Sequence, residues 1–157
     1  MVDLTPNRGM TLIVQTIAGW TKGLVFLFGI YIVLFGHITP GGGFAGGVIL
    51  ALTFVLMTLC CGKESALRKM PMHIAAELDS VGALMFLVIA WLGVWSILGG
   101  TFFTNYIAKW NRGLPYHILS SGTIPLCNIA IAVKVAVSLF LVFTLLVMTR
   151  VIHKPNE

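Results

Sequence analysis

Residues 124–149 read IPLCNIAIAVKVAVSLFLVFTLLVMT, an apolar run in which Lys134 is the single charged residue. A helix needs about 20 apolar residues to cross the roughly 30 Å hydrocarbon core of a bilayer, and this run is long enough. Of the 157 residues of the chain, 58% are hydrophobic and 10% are charged, whereas about 25% of residues are charged in soluble domains. The sequence therefore predicts an all-α integral membrane protein.

Three further apolar stretches lie upstream of this run and predict three more crossings. The chain is then a single membrane domain, residues 1–157, with four transmembrane helices at approximately 10–36, 44–61, 79–100 and 124–149. The N-terminal run is too long for the apolar part of a signal peptide, so we interpret it as an uncleaved first span. The polar stretch 62–78 contains Pro71 and predicts an aqueous loop, and 101–122 predicts a loop with a short interfacial helix.

The distribution of Lys and Arg predicts the orientation, because positive residues near span ends are retained in the cytoplasm. With four spans, only Lys109 and Arg112 fall on one side of the membrane. The other side has Arg8, Lys22, Lys63, Arg68, Lys69, Arg150 and Lys154. Both termini are therefore predicted to be cytoplasmic. The net charge of +5 reports this orientation, and we expect no nucleic-acid partner.

The segment HITPGGG, residues 37–43, predicts a tight turn between the first two spans. Pro40 lacks an amide donor, and Gly41 and Gly42 permit backbone angles that other residues avoid. In the span that follows, Gly43, Gly47 and Ala51 form a row of small residues, which lets another helix backbone approach closely. Close helix packing is the predicted purpose of this region.

Lys134 is the most informative residue, since it lies about 15 Å into the last span and near the bilayer midplane. A lysine at that depth costs roughly 2.5 to 3.5 kcal/mol and is expected to face a partner or a hydrated cavity. Thr123, Cys127 and Ser138 project from the same helix face and complete a polar stripe. Asp79 is placed at the cytoplasmic end of the third span, as a cap or interface charge. The counter-ion of Lys134 is therefore expected from a partner subunit, either in an ion path or in a static ion pair.

Two other polar residues lie near predicted helix ends. His37 either relays protons or hydrogen-bonds a helix-end carbonyl, and Asn128 is expected to bond a neighbouring helix. The three cysteines have no CxxC spacing, so we expect no metal or redox site. The sequence also has no set of residues typical of a catalytic site and no phosphate-binding loop, and we expect no cofactor.

The segment GHITPGGGFAGG, residues 36–47, resembles the GHxxPGGGFxGG signature of the B subunit of multisubunit sodium/proton antiporters, the MnhB or Mrp type. A second block resembles the C-terminal block of that family, in the form found in Mrp-like modules of membrane-bound hydrogenases. It comprises SGTIPL at 121–126, NIA at 128–130 and VKV at 133–135. The resemblance covers nearly the whole chain.

The resemblance implies a small four-span subunit in a prokaryotic plasma membrane. The subunit would assemble with larger antiporter-like subunits in a complex that exchanges cytoplasmic sodium for external protons. In related respiratory complexes the same module is joined to a ferredoxin-oxidising hydrogenase or sulfur-reducing arm. The resemblance implies a subunit that is not itself catalytic, and the principal proton channels are attributed to other, larger subunits.

The sequence is compatible with three interpretations of the function. The first is an antiporter subunit, alone or in a redox-driven pump, in which the ion-path candidates are Lys134, Thr123, Cys127, Ser138, His37 and Asp79. The second is a purely structural subunit that acts through its packing residues, Pro40, Gly41, Gly42, Gly43, Gly46, Gly47 and Asn128. The third, an independent dimeric exporter, is disfavoured because no carboxylate is predicted within the membrane.

Overall fold

The computed structural model describes residues 11–95, 100–107 and 121–152. Its regular structure consists of four α-helices: α1 (Leu12–Phe35), α2 (Gly42–Lys69), α3 (Met72–Leu92) and α4 (Ile124–Ile152). Each helix contains a segment long and apolar enough to cross a membrane. The predicted all-α fold with four transmembrane helices is thus confirmed. The side of the membrane on which the termini lie stays a prediction.

The largest departure from the sequence-based expectation concerns residues 62–78. The non-helical connection is much shorter than predicted, because α2 continues to Lys69 with a sharp break at Gly62 (φ 81°, ψ 161°), and α3 already begins at Met72. That the stretch between the two candidate spans lies in water stays a prediction. Pro71 does not interrupt a helix but precedes one, where its fixed φ suits a helix start and its missing N–H costs nothing. The third helix therefore starts seven residues before Asp79 and ends at Leu92 rather than Gly100.

Helices α2 and α4 form the centre of the bundle, with α1 packed on α2 and α3 packed on α4. Glycines make the two contacts of α2 possible. A Cβ atom at Gly47 would lie 2.9 Å from the carbonyl oxygen of Ala132 on α4, and one at Gly46 would overlap Val33 on α1. Consecutive glycines of α2 thus face two different neighbouring helices, α1 and α4.

The buried core lies where the C-terminal end of α2 and the N-terminal end of α3 meet the middle of α4. Ala66, Ala75, Val137 and Phe140 are almost fully buried against one another. Phe54 on α2 packs on Phe140 with ring centroids 5.6 Å apart. This cluster holds the first turns of α3 against α4, and so fixes the position of the residues that follow on α3.

The segment 100–107 folds back over the end of α3 and joins the start of α4. The Phe103 N–H donates to the Ala90 carbonyl at 3.3 Å. The Asn105 amide donates to the Ser121 carbonyl and accepts the Thr123 N–H, both at 3.0 Å. The predicted interfacial helix would lie mostly in residues 108–120, outside the described residues. Four of the residues used to predict the orientation also lie outside the described residues, namely Arg8, Lys109, Arg112 and Lys154.

Candidate functional site

Asp79 on α3 is bound by two side chains of α4. The Lys134 ammonium donates to Asp79 Oδ2 at 2.8 Å, and the Ser138 hydroxyl donates to Asp79 Oδ1. Lys134 and Ser138 are four residues apart and therefore project from the same face of their helix. We call these three residues the α3–α4 polar cluster.

Along both helices, this cluster lies away from the ends of the candidate membrane-spanning segments. Asp79 lies seven residues after Met72, which is about 10 Å along the axis of α3, and Lys134 lies ten residues after Ile124, about 15 Å along α4. The two helices are antiparallel, since Ala75 packs near Phe140 whereas Gly82 packs beside Lys134 and Ala130. The two charges consequently meet at the same depth.

This geometry overturns the expectation that the counter-ion of Lys134 comes from a partner subunit. The expectation rested on a third span that begins at Asp79, which would leave the carboxylate at the membrane surface. Because α3 begins at Met72, the carboxylate is carried two helical turns deeper. The chain therefore supplies its own acid for Lys134.

Gly82 allows α3 to approach α4 at the cluster, and the sequence-based reasoning did not single it out. A Cβ atom at this position would lie 3.0 Å from both the backbone nitrogen and the Cβ of Lys134. Ala75, Gly82 and Ala90 are the buried residues of α3, and they share a face with Asp79. This row of small residues is visible in the sequence, but only once the helix is taken to begin before Ala75.

The cluster is a charge-compensated acid–base pair with an open side. The side chains of Lys134 and Asp79 retain 44% and 29% of their accessible surface in the isolated chain. Within the described part of the chain, Asp79 is the only residue that accepts a hydrogen bond from the Lys134 ammonium. A proton or a cation that reaches the carboxylate would compete with this ammonium, so the pair has the chemistry of an exchange site.

The other three ion-path candidates are not brought to the cluster. Thr123 is buried at the start of α4, where its N–H donates to Asn105, about 16 Å along the helix from Lys134. Cys127 is also buried, about 10 Å from Lys134 along the same axis, and His37 lies in the turn between α1 and α2. Their part in an ion path stays a prediction.

Loop residue Tyr106 lies close to Cys127 at this end of the molecule. Burial, and then the neighbouring Cys127, raise the pKa of the Tyr106 phenol. The phenol is therefore neutral at physiological pH.

Cys60, Cys61 and Cys127 are all free thiols. In the residues that the structure describes, no three His, Cys, Asp or Glu side chains are grouped as metal ligands.

The predicted packing residues lie mainly at contacts between helices. Gly41 and Gly42 have φ angles of 149° and 70°, which only glycine adopts readily, and Pro40 precedes them in an exposed turn. Gly43 is buried so tightly that a Cβ atom would overlap the Asn128 backbone. Asn128 thus contacts α2 through its main chain, and the described residues offer no acceptor to its amide nitrogen.

Comparison with known proteins agrees with this architecture. The family model described as a domain related to the MnhB subunit of Na+/H+ antiporters matches residues 13–149. An uncharacterized protein of Methanocaldococcus jannaschii is 34% identical over 132 residues, which are 82% of this chain and 49% of that protein. A Staphylococcus aureus (strain Newman) protein named "Putative antiporter subunit mnhB2" is 36% identical over 93 residues, 57% of this chain and 64% of the relative.

This chain therefore spans about half the length of the archaeal relative and less than two thirds of the staphylococcal one. The family match nevertheless extends over most of the chain and includes the whole α3–α4 polar cluster. With its four helices long enough to span a bilayer, the chain is a multi-pass plasma-membrane protein that belongs to the family of the MnhB subunit of Na+/H+ antiporters.

Proposed function

We propose that the chain is a membrane subunit of a multisubunit Na+/H+ antiporter module, in which the α3–α4 polar cluster forms part of an internal ion path. Membership of the MnhB family supports the first half of this proposal. The single observation that carries the second half is the hydrogen-bonded Asp79–Lys134 pair within the spans. Charged side chains inside membrane segments are costly, and those that are kept commonly mark ion and proton pathways.

The cluster suggests how binding of a proton to Asp79 could release the charged Lys134 side chain to move. An ionised Asp79 holds the Lys134 ammonium at 2.8 Å. If the carboxylate takes up a proton, it becomes a poor acceptor, and the ammonium on its flexible four-carbon stem is free to turn elsewhere. Loss of the proton restores the pair. Ser138, which donates to the second carboxylate oxygen, keeps Asp79 facing α4 in the ionised form.

Asp79→Asn in the intact complex tests this proposal, because the amide keeps the shape of the carboxylate but cannot bear its charge. We expect the complex to assemble and its Na+-dependent proton exchange to fall at least tenfold in inverted membrane vesicles. The matched control is Glu77→Gln, the same change at an exposed position of the same helix, which should leave exchange unaltered. Wild-type exchange by an assembled Asp79→Asn complex would remove Asp79 from the path.

A purely structural role is the second candidate, and the charge compensation within one chain favours it. A pair that neutralises itself can simply fasten α3 to α4 without ever titrating. Under this alternative, variants of Asp79 and Lys134 lose complex recovery and exchange activity in equal proportion. A variant that assembles normally but fails to exchange ions is possible only if the cluster takes part in transport.

The same subunit could also serve a redox-driven pump, as the C-terminal block of the sequence suggests. Native-gel separation after mild detergent extraction, followed by mass spectrometry of the companion subunits, distinguishes the two settings. Antiporter-type companions alone indicate a secondary exchanger, whereas additional hydrogenase-like or iron–sulfur subunits indicate a redox arm. Recovery without any companion would contradict the proposed function in both forms.

A further inference from the structure

A groove of about 310 Å³ opens between α3 and α4 beside the polar cluster. Its walls are apolar apart from Lys134, and small residues form much of them. Its lining includes Gly82, Ala83, Phe86, Ala130, Ile131 and Lys134. The groove therefore runs along two membrane-spanning helices and contains one charged group.

The Lys134 ammonium is not satisfied by the groove that contains it. A lysine ammonium has three N–H donors, and the described residues supply a single acceptor, the Asp79 carboxylate. The side chain keeps 44% of its accessible surface, at a depth where the surrounding medium would be hydrocarbon. Two donors facing lipid at this depth would be costly, so a further oxygen is expected opposite Lys134.

We propose that this groove is the docking site for a transmembrane helix of another subunit, one with an apolar surface and a side-chain oxygen acceptor opposite Lys134. The small residues Gly82, Ala83 and Ala130 would let the backbone of such a helix come close. Acyl chains could fill the same space but bring no acceptor. The inference rests on the proposed function in one respect, namely that the chain has companion subunits.

Site-specific photocrosslinking in the intact complex tests the proposal. A benzophenone amino acid is placed at Ala83, which lines the groove, and in a second variant at Ile131 on the opposite wall. The matched control is Leu84, the next residue of α3, which is 59% exposed and points about 100° further around the helix. The three sites lie at similar depths, so only the direction of the probe differs.

We expect probes at Ala83 and Ile131 to form an adduct with one and the same companion subunit, at least tenfold more abundantly than the probe at Leu84. Peptide mapping of the adduct should show Ser, Thr, Asn, Gln, Asp or Glu within one turn of the linked residue. An intact complex in which groove and control probes crosslink alike, or in which the partner is a second copy of this chain, overturns the docking site. Absence of any complex on a native gel refutes the proposed function instead, and this inference with it.

A second measurement distinguishes a groove covered by a helix from a groove filled with water. In complexes whose three native cysteines are replaced by alanine, a cysteine introduced by Ile131→Cys is treated with membrane-impermeant thiol reagents applied from each side in turn. A covered groove predicts labelling at least tenfold slower than for Thr101→Cys, an exposed loop position, whichever side reaches it. Labelling at a similar rate would show that water rather than a helix occupies the groove, and would overturn the proposal.

Discussion

Helix α4 makes two contacts of opposite character. Against α2 it packs by shape alone, with Gly43 and Gly47 pressed on its backbone and Phe54 on Phe140. Against α3 it packs around a charge pair, with Gly82 providing the close approach and Asp79 binding Lys134. Among the described residues, the only ion pair lies at the second contact. Any response of this chain to ions should therefore act on α3 and not on α2.

Asp79→Ala is expected to lower the free energy of unfolding more than any other change considered at the two contacts of α4. It leaves Lys134 without its carboxylate inside the membrane-spanning segment, where an unpaired lysine costs roughly 2.5 to 3.5 kcal/mol. The further change Lys134→Ala removes the stranded charge, so the double variant should recover most of the lost stability. The measurement is the free energy of unfolding in mixed micelles as the fraction of denaturing detergent rises.

A double variant no more stable than Asp79→Ala alone would show that the cost comes from lost packing rather than from an unpaired charge. The Glu77→Ala variant is the control, since Glu77 is an exposed acid on the same helix. Its unfolding free energy should stay within about 0.5 kcal/mol of the parent value.

An intermediate effect is expected at the contact between α2 and α4. A Cβ atom introduced by Gly47→Ala would lie 2.9 Å from the Ala132 carbonyl oxygen and 3.1 Å from its Cα, and backbone cannot move aside as a side chain can. Overpacking of this kind costs typically about 1 to 3 kcal/mol, measured by the same detergent titration. No change at Asp79 or Lys134 should relieve it.

Gly23→Ala supplies the matched control for this prediction. Among the described residues, no atom beyond the backbone of α1 lies within 4 Å of the added methyl group, and alanine favours helix over glycine by up to about 1 kcal/mol. Unchanged or slightly higher stability is therefore expected. Equal destabilisation by the two alanines would mean that the loss comes from the helix backbone and not from the contact with α4.

The contact with α2 could be predicted from the sequence because its signal is local. The turn at residues 37–43 and the four-residue spacing of Gly43, Gly47 and Ala51 are visible in one short segment, and the structure buries all three residues of that row. Even there, one part could not be read from the pattern. Gly46 contacts α1 rather than α4, and only the packing of three helices shows this.

The contact with α3 could be predicted only in part, and the reason is physical. The depth of Lys134 follows from the sequence, because the run around it is uninterrupted. The depth of Asp79 was misjudged because Pro71 and the nearby charges resemble a loop, whereas Pro71 precedes a helix and Ala75 is buried in the core. A helix that starts seven residues earlier than predicted thus moves the Asp79 carboxylate from the membrane surface into the span.

The smallest effect on the unfolding free energy is expected from Ser138→Ala, which removes one hydrogen bond of the polar cluster and no charge. Hydrogen bonds between membrane helices average about 0.6 kcal/mol in double-mutant cycles, so the loss in unfolding free energy should be close to that value. In the Asp79→Ala background the same change should cost nothing, because the hydroxyl has lost the carboxylate to which it donates. Ser80→Ala is the control, since that hydroxyl bonds only its own helix, at the Ala76 carbonyl. An equal cost of Ser138→Ala with and without Asp79 would show that Ser138 stabilises α4 by itself and does not orient the carboxylate.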